Sequence, residues 1–357
     1  MSAAVLTALF RRVLHGLTPA EAFHAATRAT EAGRPEESAR LLEVAARRHP
    51  RNHWCAAQAG LAHYRIGKYA PALEQFDRAI ALDPECSEYR YYAAQTLRAL
   101  GAYDGALERC LEALGLDHNH PESCHLLSQL TLPGPSYTQV LAALHRALAP
   151  RTYLEIGIAD GRSLSLVQPS TRAIGIDPEP KLAAAPAANT TVHAIESDRY
   201  FATHDVRAEL GGAIDFAFID GLHTFDQALR DFINVERHST RGTAILLHDT
   251  YPLTRHTAER VRRTTFWSGD VWKLVLILKN YRPDLTVSNV AAAPSGLCVV
   301  SRLDPESRVL EEKFDAIVAE FMAVDYGVLD ANKPGMLNLY PNELERVLSL
   351  VTTRSLA

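Results

Sequence analysis

From residue 19 to about residue 148 the apolar positions recur at intervals of three and four, the spacing of amphipathic helices that each bury one stripe. From Arg151 the pattern changes to short apolar or alternating runs: RTYLEI, RAIGID, TVHAI, IDFAFI, TAILLH, LTVSNV and LCVVS. Most of these runs are followed by a glycine, an acidic residue or a histidine, and together they predict a sheet. The first five alternate with helical stretches, as parallel βαβ units do, whereas 284–290 and 296–301 suit an antiparallel hairpin at a sheet edge. The expected class is α + α/β, with a helical domain over 1–148, a Rossmann-like seven-stranded sheet over 149–303 and a helical extension over 304–357. In that extension the pattern predicts an amphipathic helix at 306–326, a turn-rich excursion to Tyr340 and a last helix from Pro341 to Val351.

The helical half repeats itself. Gly33, Gly67 and Gly101 are 34 residues apart, and so are Pro50 and Pro84, and Ser38, Ala72 and Ala106. Laid out as 19–52, 53–86 and 87–120, each unit has a small residue in its first helix (Ala26, Gly60, Ala94), a turn glycine and a small-to-large series in its second. Small residues let two helices approach closely, and a residue such as Phe76 or Leu42 fills the groove of the neighbouring pair. The pattern resembles the tetratricopeptide repeat, and the resemblance implies stacked helix pairs with a concave surface for a peptide or protein partner. The third unit departs from it, with Cys110 at the aromatic position. Tyr89, Tyr91 and Tyr92 are candidate groove residues, and 121–148 is expected to cap the array, with a break at Pro133-Gly134-Pro135.

In the sheet half the first strand runs into Glu155-Ile-Gly157-Ile-Ala-Asp-Gly161-Arg-Ser163, with a helix expected after it. Glycines at such a turn let a ligand approach the backbone at the carboxyl end of the strand. The second strand ends in Asp177, 16 positions after Gly161, where a carboxylate can accept two ribose hydroxyls. A GxGxxG triple is missing, which disfavours a dinucleotide and leaves a nucleoside without phosphates as the better fit. These residues resemble the class I S-adenosylmethionine-dependent methyltransferases. The resemblance implies S-adenosyl-L-methionine as cofactor, with Glu155, Gly157, Gly161, Ser163, Asp177, Ser197 and Asp220 as cofactor-binding residues.

The fourth strand ends in Asp220-Gly-Leu-His223 and the fifth in His248-Asp249-Thr250. Two carboxylates and two imidazoles at neighbouring strand ends meet the needs of a divalent-metal or general-base site. DGLHTFDQALRDF followed by LLHDT resembles the macrocin O-methyltransferase subgroup and, more remotely, catechol O-methyltransferase. That implies Asp220 and Asp249 as ligands of Mg2+, although Thr250 stands where the catechol enzyme has an asparagine ligand. His223, Asp220 and His248 are the catalytic candidates, with His223 preferred as the base. Arg255 or Arg262 is a candidate for binding an anionic acceptor, and Trp272 belongs either at the site rim or in the core.

Composition narrows the classes further. With 37 Lys+Arg against 42 Asp+Glu, the net charge of -5 gives no global field for nucleic acid or an anionic membrane. No stretch is apolar enough to span a bilayer, and the apolar run within Met1–Gly16 is too short for a secretory leader and reads as a surface helix. Cys55, Cys86, Cys110, Cys124 and Cys298 form no CxxC pair, which points to reduced thiols and a cytoplasmic setting. The leading expectation is O-methylation of a small-molecule, sugar or natural-product hydroxyl. The alternatives are a protein methyltransferase whose repeat groove holds the polypeptide, a non-catalytic repeat scaffold, and a hydroxylase-like chemistry. A homo-oligomer is compatible with each.

Overall fold

A computed structural model describes residues 18–352, so the expected surface helix within Met1–Gly16 lies outside the described residues. The chain divides into two compact units, one ending at Leu130 and the other starting at Thr131.

The first unit is a run of helix pairs: α1 (Pro19–Glu31) with α2 (Pro35–Arg48), α3 (His53–Arg65) with α4 (Tyr69–Leu82), α5 (Ser87–Ala99) with α6 (Tyr103–Leu116), then α7 (Pro121–Thr131). Gly33, Gly67 and Gly101 close the first helix of each pair at φ between +71° and +77°, and a Cβ at any of them would touch nothing within 4 Å. Their role is therefore the left-handed turn, not close packing. Gly60 serves the opposite purpose, since a Cβ there would stand 2.8 Å from the Phe76 ring. Ala72, Ala79, Ala106 and Ala113 are fully buried along the seams. Phe76, also fully buried, stacks on Tyr92 at 5.6 Å. Cys110 takes the aromatic's place in the next unit, buried with its thiol pushed up to about 12 by burial. Tyr89 is buried and donates or accepts at His53 Nδ1 (2.7 Å), so it belongs to the packed interior.

The second unit is built on an eight-stranded sheet in the order β3-β2-β1-β4-β5-β7-β6-β8. The strands are β1 (Thr152–Ile156), β2 (Arg172–Asp177), β3 (Thr190–Ala194), β4 (Ile214–Ile219), β5 (Ser239–His248), β6 (Thr286–Val290), β7 (Leu297–Ser301) and β8 (Leu339–Tyr340). The first five are parallel, β7 is antiparallel to both β5 and β6, and β8 adds in parallel to β6. The order steps outward from β1 in both directions, so the crevice at the carboxyl ends of β1 and β4 is a switch point.

Alternate strand residues feed two cores. On one face Leu154, Ile156, Ile174, Ile219 and Leu247 meet α11 (Phe225–Arg237) and α12 (Trp272–Tyr281). Here α11 follows α9 (Ser197–Thr203) and α10 (Val206–Leu210) in the chain. Trp272 is 1% exposed, a core residue away from any rim. On the other face Tyr153, Phe216, Phe218 and Leu246 meet Val140, Leu141 and Leu144 of α8 (Tyr137–Leu148).

Four expectations change here, each for a packing reason. The helix expected after β1 is a single 3-10 turn, Leu164–Leu166, because Pro169 and the short run to β2 leave no room for more. Helix α8, expected as a cap on the repeats, instead buries its apolar stripe on the sheet, so the boundary falls at 130 in place of 148. The helix expected over 306–326 is interrupted at Lys313 into α13 (Val309–Glu312) and α14 (Phe314–Met322). The extension is no separate domain: Leu310, Ile317 and Phe321 enter the sheet's core, β8 is its eighth strand, and Val347 of α16 (Leu344–Thr352) lies beside α8.

That extension is also pinned by polar contacts. Lys333, at the start of α15 (Lys333–Met336), donates from Nζ to the carbonyls of Pro252 (3.0 Å) and Leu253 (3.3 Å), and burial lowers its pKa to about 8. Arg255 makes a two-pronged pair with Asp325 at 2.8 and 2.9 Å. Where the extension begins, Asp304 N–H donates to Glu236 Oε1 (3.1 Å), whose carboxylate also holds the buried Arg282 at 2.7 Å.

Candidate functional site

The turn after β1 is the first part of the site. Gly157 has φ +82°, and a Cβ there would lie 1.9 Å from the Asp220 carbonyl oxygen, so only glycine lets this turn press against the end of β4. Asp177 secures the turn from β2: its Oδ2 accepts from the N–H groups of Ile158 (3.0 Å) and Ala159 (2.9 Å), and its Oδ1 from Glu179 N–H (2.8 Å). Glu155 is fully buried beneath, where it accepts from the Tyr153 hydroxyl (2.7 Å) and from Ser163 Oγ. Burial raises its pKa to about 8 against the opposing pull of those two hydrogen bonds. Glu155 and Ser163 thus hold one another and shape the turn from within. Leu182 lies over Gly161, where a Cβ would stand 2.7 Å from its Cδ2.

The second part is the corner where β4 and β5 end. Asp220, His223, His248 and Asp249, four of the expected residues, converge there. His248 Nδ1 lies 3.0 Å from Asp220 Oδ1, and His223 Nδ1 lies 2.9 Å from Asp249 Oδ2. His223 Nε2 is 3.8 Å from Asp220 Oδ1. Donor atoms of Asp220, His223 and Asp249, one from each, all fall within 4.8 Å of one another. Asp249 adopts φ +59°, strained for a residue with a side chain, and accepts from Ser295 Oγ through Oδ1. Its other oxygen, Oδ2, is buried and makes the 2.9 Å ion pair with His223 Nδ1, whereas His248 Nε2 is buried with no hydrogen-bond partner among the described residues. Two carboxylates and an imidazole whose donor atoms fall this close together, with Asp249 deeply buried, fit the ligand set of a cation.

The electrostatics follow from this crowding. Burial opposes charge on both imidazoles, but the adjacent Asp249 and Asp220 outweigh it and raise His223 to about 9 and His248 to about 8. Burial works against the charge of Asp249 as well, yet the two histidines bring its pKa down to about 2. Without a cation the corner is an array of imidazolium and carboxylate groups.

Several residues that frame this corner were not legible beforehand. Trp267 stacks on His223 (5.0 Å between centroids, 15° between planes), and its carbonyl lies 3.2 Å from His223 Nδ1. Asp270 N–H donates to the His223 carbonyl (3.3 Å). The Tyr137 ring lies 4.2 Å from that of His248. Asp231 is 1% exposed on the apolar face of α11, where it lines the same small cavity as Asp220, His223 and Asp249. Burial lifts its pKa to about 7 against hydrogen bonds from Ser197 and Gln227. A carboxylate on the inner face of an otherwise apolar helical stripe was its only signal. Ser197 therefore sits in this buried network. The basic loop after β5 is internally paired: Arg255 with Asp325, Arg260 with Asp226 and Asp270, and Arg262 over the Trp267 ring. Arg255 and Arg262 are thus engaged within the protein.

Comparison with known proteins agrees with the two units. Residues 154–250 match a family model described as a methyltransferase domain, and residues 58–121 match one described as a tetratricopeptide repeat. The chain is similar to the TPR repeat-containing thioredoxin TTL4 of Arabidopsis thaliana, 41% identical over 75 residues, which are 21% of this chain and 11% of that protein. It is also similar to the inactive TPR repeat-containing thioredoxin TTL3 of the same plant, 36% identical over 69 residues, 19% of this chain and 10% of the relative. The match thus spans about a tenth of the length of these relatives. Among solved structures, MamA aligns at 15% identity and TM-score 0.30, over 32% of this chain and 66% of its own. The first TPR of Spaghetti (RPAP3), bound to an HSP90 peptide, aligns at 18% identity and TM-score 0.30, over 31% and 89%. The chain therefore carries a methyltransferase domain after a tetratricopeptide array.

Proposed function

We propose that the protein is an S-adenosylmethionine-dependent O-methyltransferase of the macrocin type, acting on a small-molecule, sugar or natural-product hydroxyl. The observation that supports this reading is the meeting of Asp220, His223, His248 and Asp249 at the strand ends beside the glycine turn of a methyltransferase domain.

The turn suits a nucleoside. A carboxylate offers about four acceptor positions, and Asp177 spends three on backbone N–H groups. The remaining one can take a ribose hydroxyl. The cofactor's sulfonium supplies the methyl group. The protein's task is then to align the acceptor oxygen, exclude water and receive a proton. The methyl carbon leaves sulfur for oxygen as the hydroxyl proton passes to a base at this corner, His223 or His248 in its neutral form. The residues that would hold a divalent cation are Asp220 and Asp249, and such an ion would supply Lewis acidity that lowers the pKa of the acceptor hydroxyl. Calorimetric titration with S-adenosylmethionine and S-adenosylhomocysteine tests the reading. Saturable binding that Asp177→Ala weakens supports it, and absence of binding to folded protein sinks it in favour of a repeat scaffold.

A second reading, a protein or peptide partner at the repeats, draws on a cavity of about 370 Å³ between α5 and α7. Tyr91, Gln95, Arg98, His125 and Gln129 line it. This mixture of aromatic, amide and basic groups suits an extended polypeptide more than an apolar helix. Crosslinking that Arg98→Glu abolishes would favour it.

A further inference from the structure

We propose that His223 is itself a ligand, through Nε2, of the cation at the β4–β5 corner, which leaves His248 as the base, and that the corner takes a transition-metal dication such as cobalt or zinc in preference to magnesium. This rests on the reading above that the corner holds a cation.

The argument begins with the orientation of the ring. Trp267 stacks on it, and the Trp267 carbonyl (3.2 Å) and Asp249 Oδ2 (2.9 Å) both lie against Nδ1, which fixes a hydrogen on that nitrogen. The His223 backbone is held as well, by Asp270 N–H on its carbonyl and by Gly269, where φ is +61° and a Cβ would stand 1.8 Å from that carbonyl oxygen. Once a cation displaces the imidazolium's second proton, Nε2 offers its lone pair from a position 3.8 Å from Asp220 Oδ1. That separation is too long for a hydrogen bond. It suits two donors that share a third partner, since ligands held at about 2.0–2.2 Å from one ion lie roughly 3–4 Å apart.

The surroundings have the form of an outer shell. Each proposed ligand is steadied by a group that is not a ligand: the Trp267 carbonyl for His223, Ser295 Oγ for Asp249, and His248 Nδ1 for Asp220. Asp249 Oδ2 is buried and held 2.9 Å from His223 Nδ1, which keeps this carboxylate against the same ring. A set of one imidazole nitrogen and two carboxylates differs from the all-oxygen shell that magnesium prefers, and it favours cations of borderline softness.

Full-length protein, stripped with a chelator, is titrated calorimetrically with Co2+, Zn2+ and Mg2+. The expected result is Co2+ and Zn2+ binding at least about tenfold tighter than Mg2+. His223→Ala should erase that advantage, and His223→Asp, which restores an oxygen donor, should shift the preference toward Mg2+. Circular dichroism checks that both variants are folded. Pulsed electron paramagnetic resonance of Mn2+-loaded wild-type protein needs no variant and should show a directly bound imidazole nitrogen. Equal affinity for Mg2+, absent nitrogen coupling, or Co2+ binding indifferent to His223→Ala would overturn the assignment of His223 while leaving the cation reading intact. Failure of every cation to bind would remove the cation reading as well.

Discussion

The turn after β1 and the corner between β4 and β5 touch at Gly157, yet they are constructed in opposite ways. In the turn the acidic groups are saturated: Asp177 takes three backbone N–H groups, and Glu155 takes two hydroxyls. At the corner Asp249 Oδ2 faces a charged ring, His223, at 2.9 Å, His248 Nε2 is buried without a hydrogen bond among the described residues, and the backbone at Asp249 is strained at φ +59°. Saturated groups hold a frame in shape, whereas buried unsaturated ones cost stability and are retained where a ligand completes them. The lesson is that an acidic residue at a strand end is not a ligand by position alone.

Gly157→Ala attacks the contact between the two regions and should have the largest effect. A methyl group there meets the Asp220 carbonyl and a positive φ together, so we expect a loss above about 4 kcal/mol or failure of the sheet to fold. Denaturant unfolding measures it, and a small loss would mean that the turn and the corner are not packed as described. Glu155→Ala should remove the frame alone. Two hydroxyls lose their acceptor, at about 1–3 kcal/mol each, while cation affinity stays unchanged.

Asp249→Asn should act on the corner instead. Asparagine tolerates the left-handed backbone, but it removes the carboxylate that holds His223 and His248 charged, so denaturant unfolding without cation should show a loss of about 1–3 kcal/mol. Calorimetry should also show cation affinity reduced at least about tenfold. A further effect concerns pH and is spread over several units. Burial first, against the pull of Ser163 and Tyr153, places Glu155 at about 8 in the folded protein, compared with about 4.3 in an unfolded chain. The folded state therefore holds the extra proton between those values, and stability falls as pH rises through them, by at most about 1.4 kcal/mol per unit. Glu155→Gln should flatten that slope in unfolding curves recorded from pH 5 to pH 8.

Much of this architecture can be read from local pattern. The 34-residue period marks the helix pairs because each glycine sets a turn and each alanine a seam, both short-range requirements. Asp220, His223, His248 and Asp249 are visible because parallel strands in register bring their ends together. Trp267, Ser295 and Tyr137 are not, because loops and a helix far away in sequence deliver them to the corner. Helix α8 is equally hard to assign. Its apolar stripe would suit the repeats or the sheet, and only the unfilled face over Tyr153 and Phe216 decides. The missing helix after β1 is a matter of length, which periodicity does not measure.

The grip of Lys333 on the carbonyls of Pro252 and Leu253, some 80 residues earlier, also sets an order of events during synthesis. At about 5–20 residues per second, the loop leaving Asp249 emerges from the ribosome roughly 4–16 s before the lysine that secures it. Over that interval the nascent corner carries its histidines and carboxylates without their clasp. A chain stalled before residue 333 would present that cluster of histidines and carboxylates on an unfinished sheet.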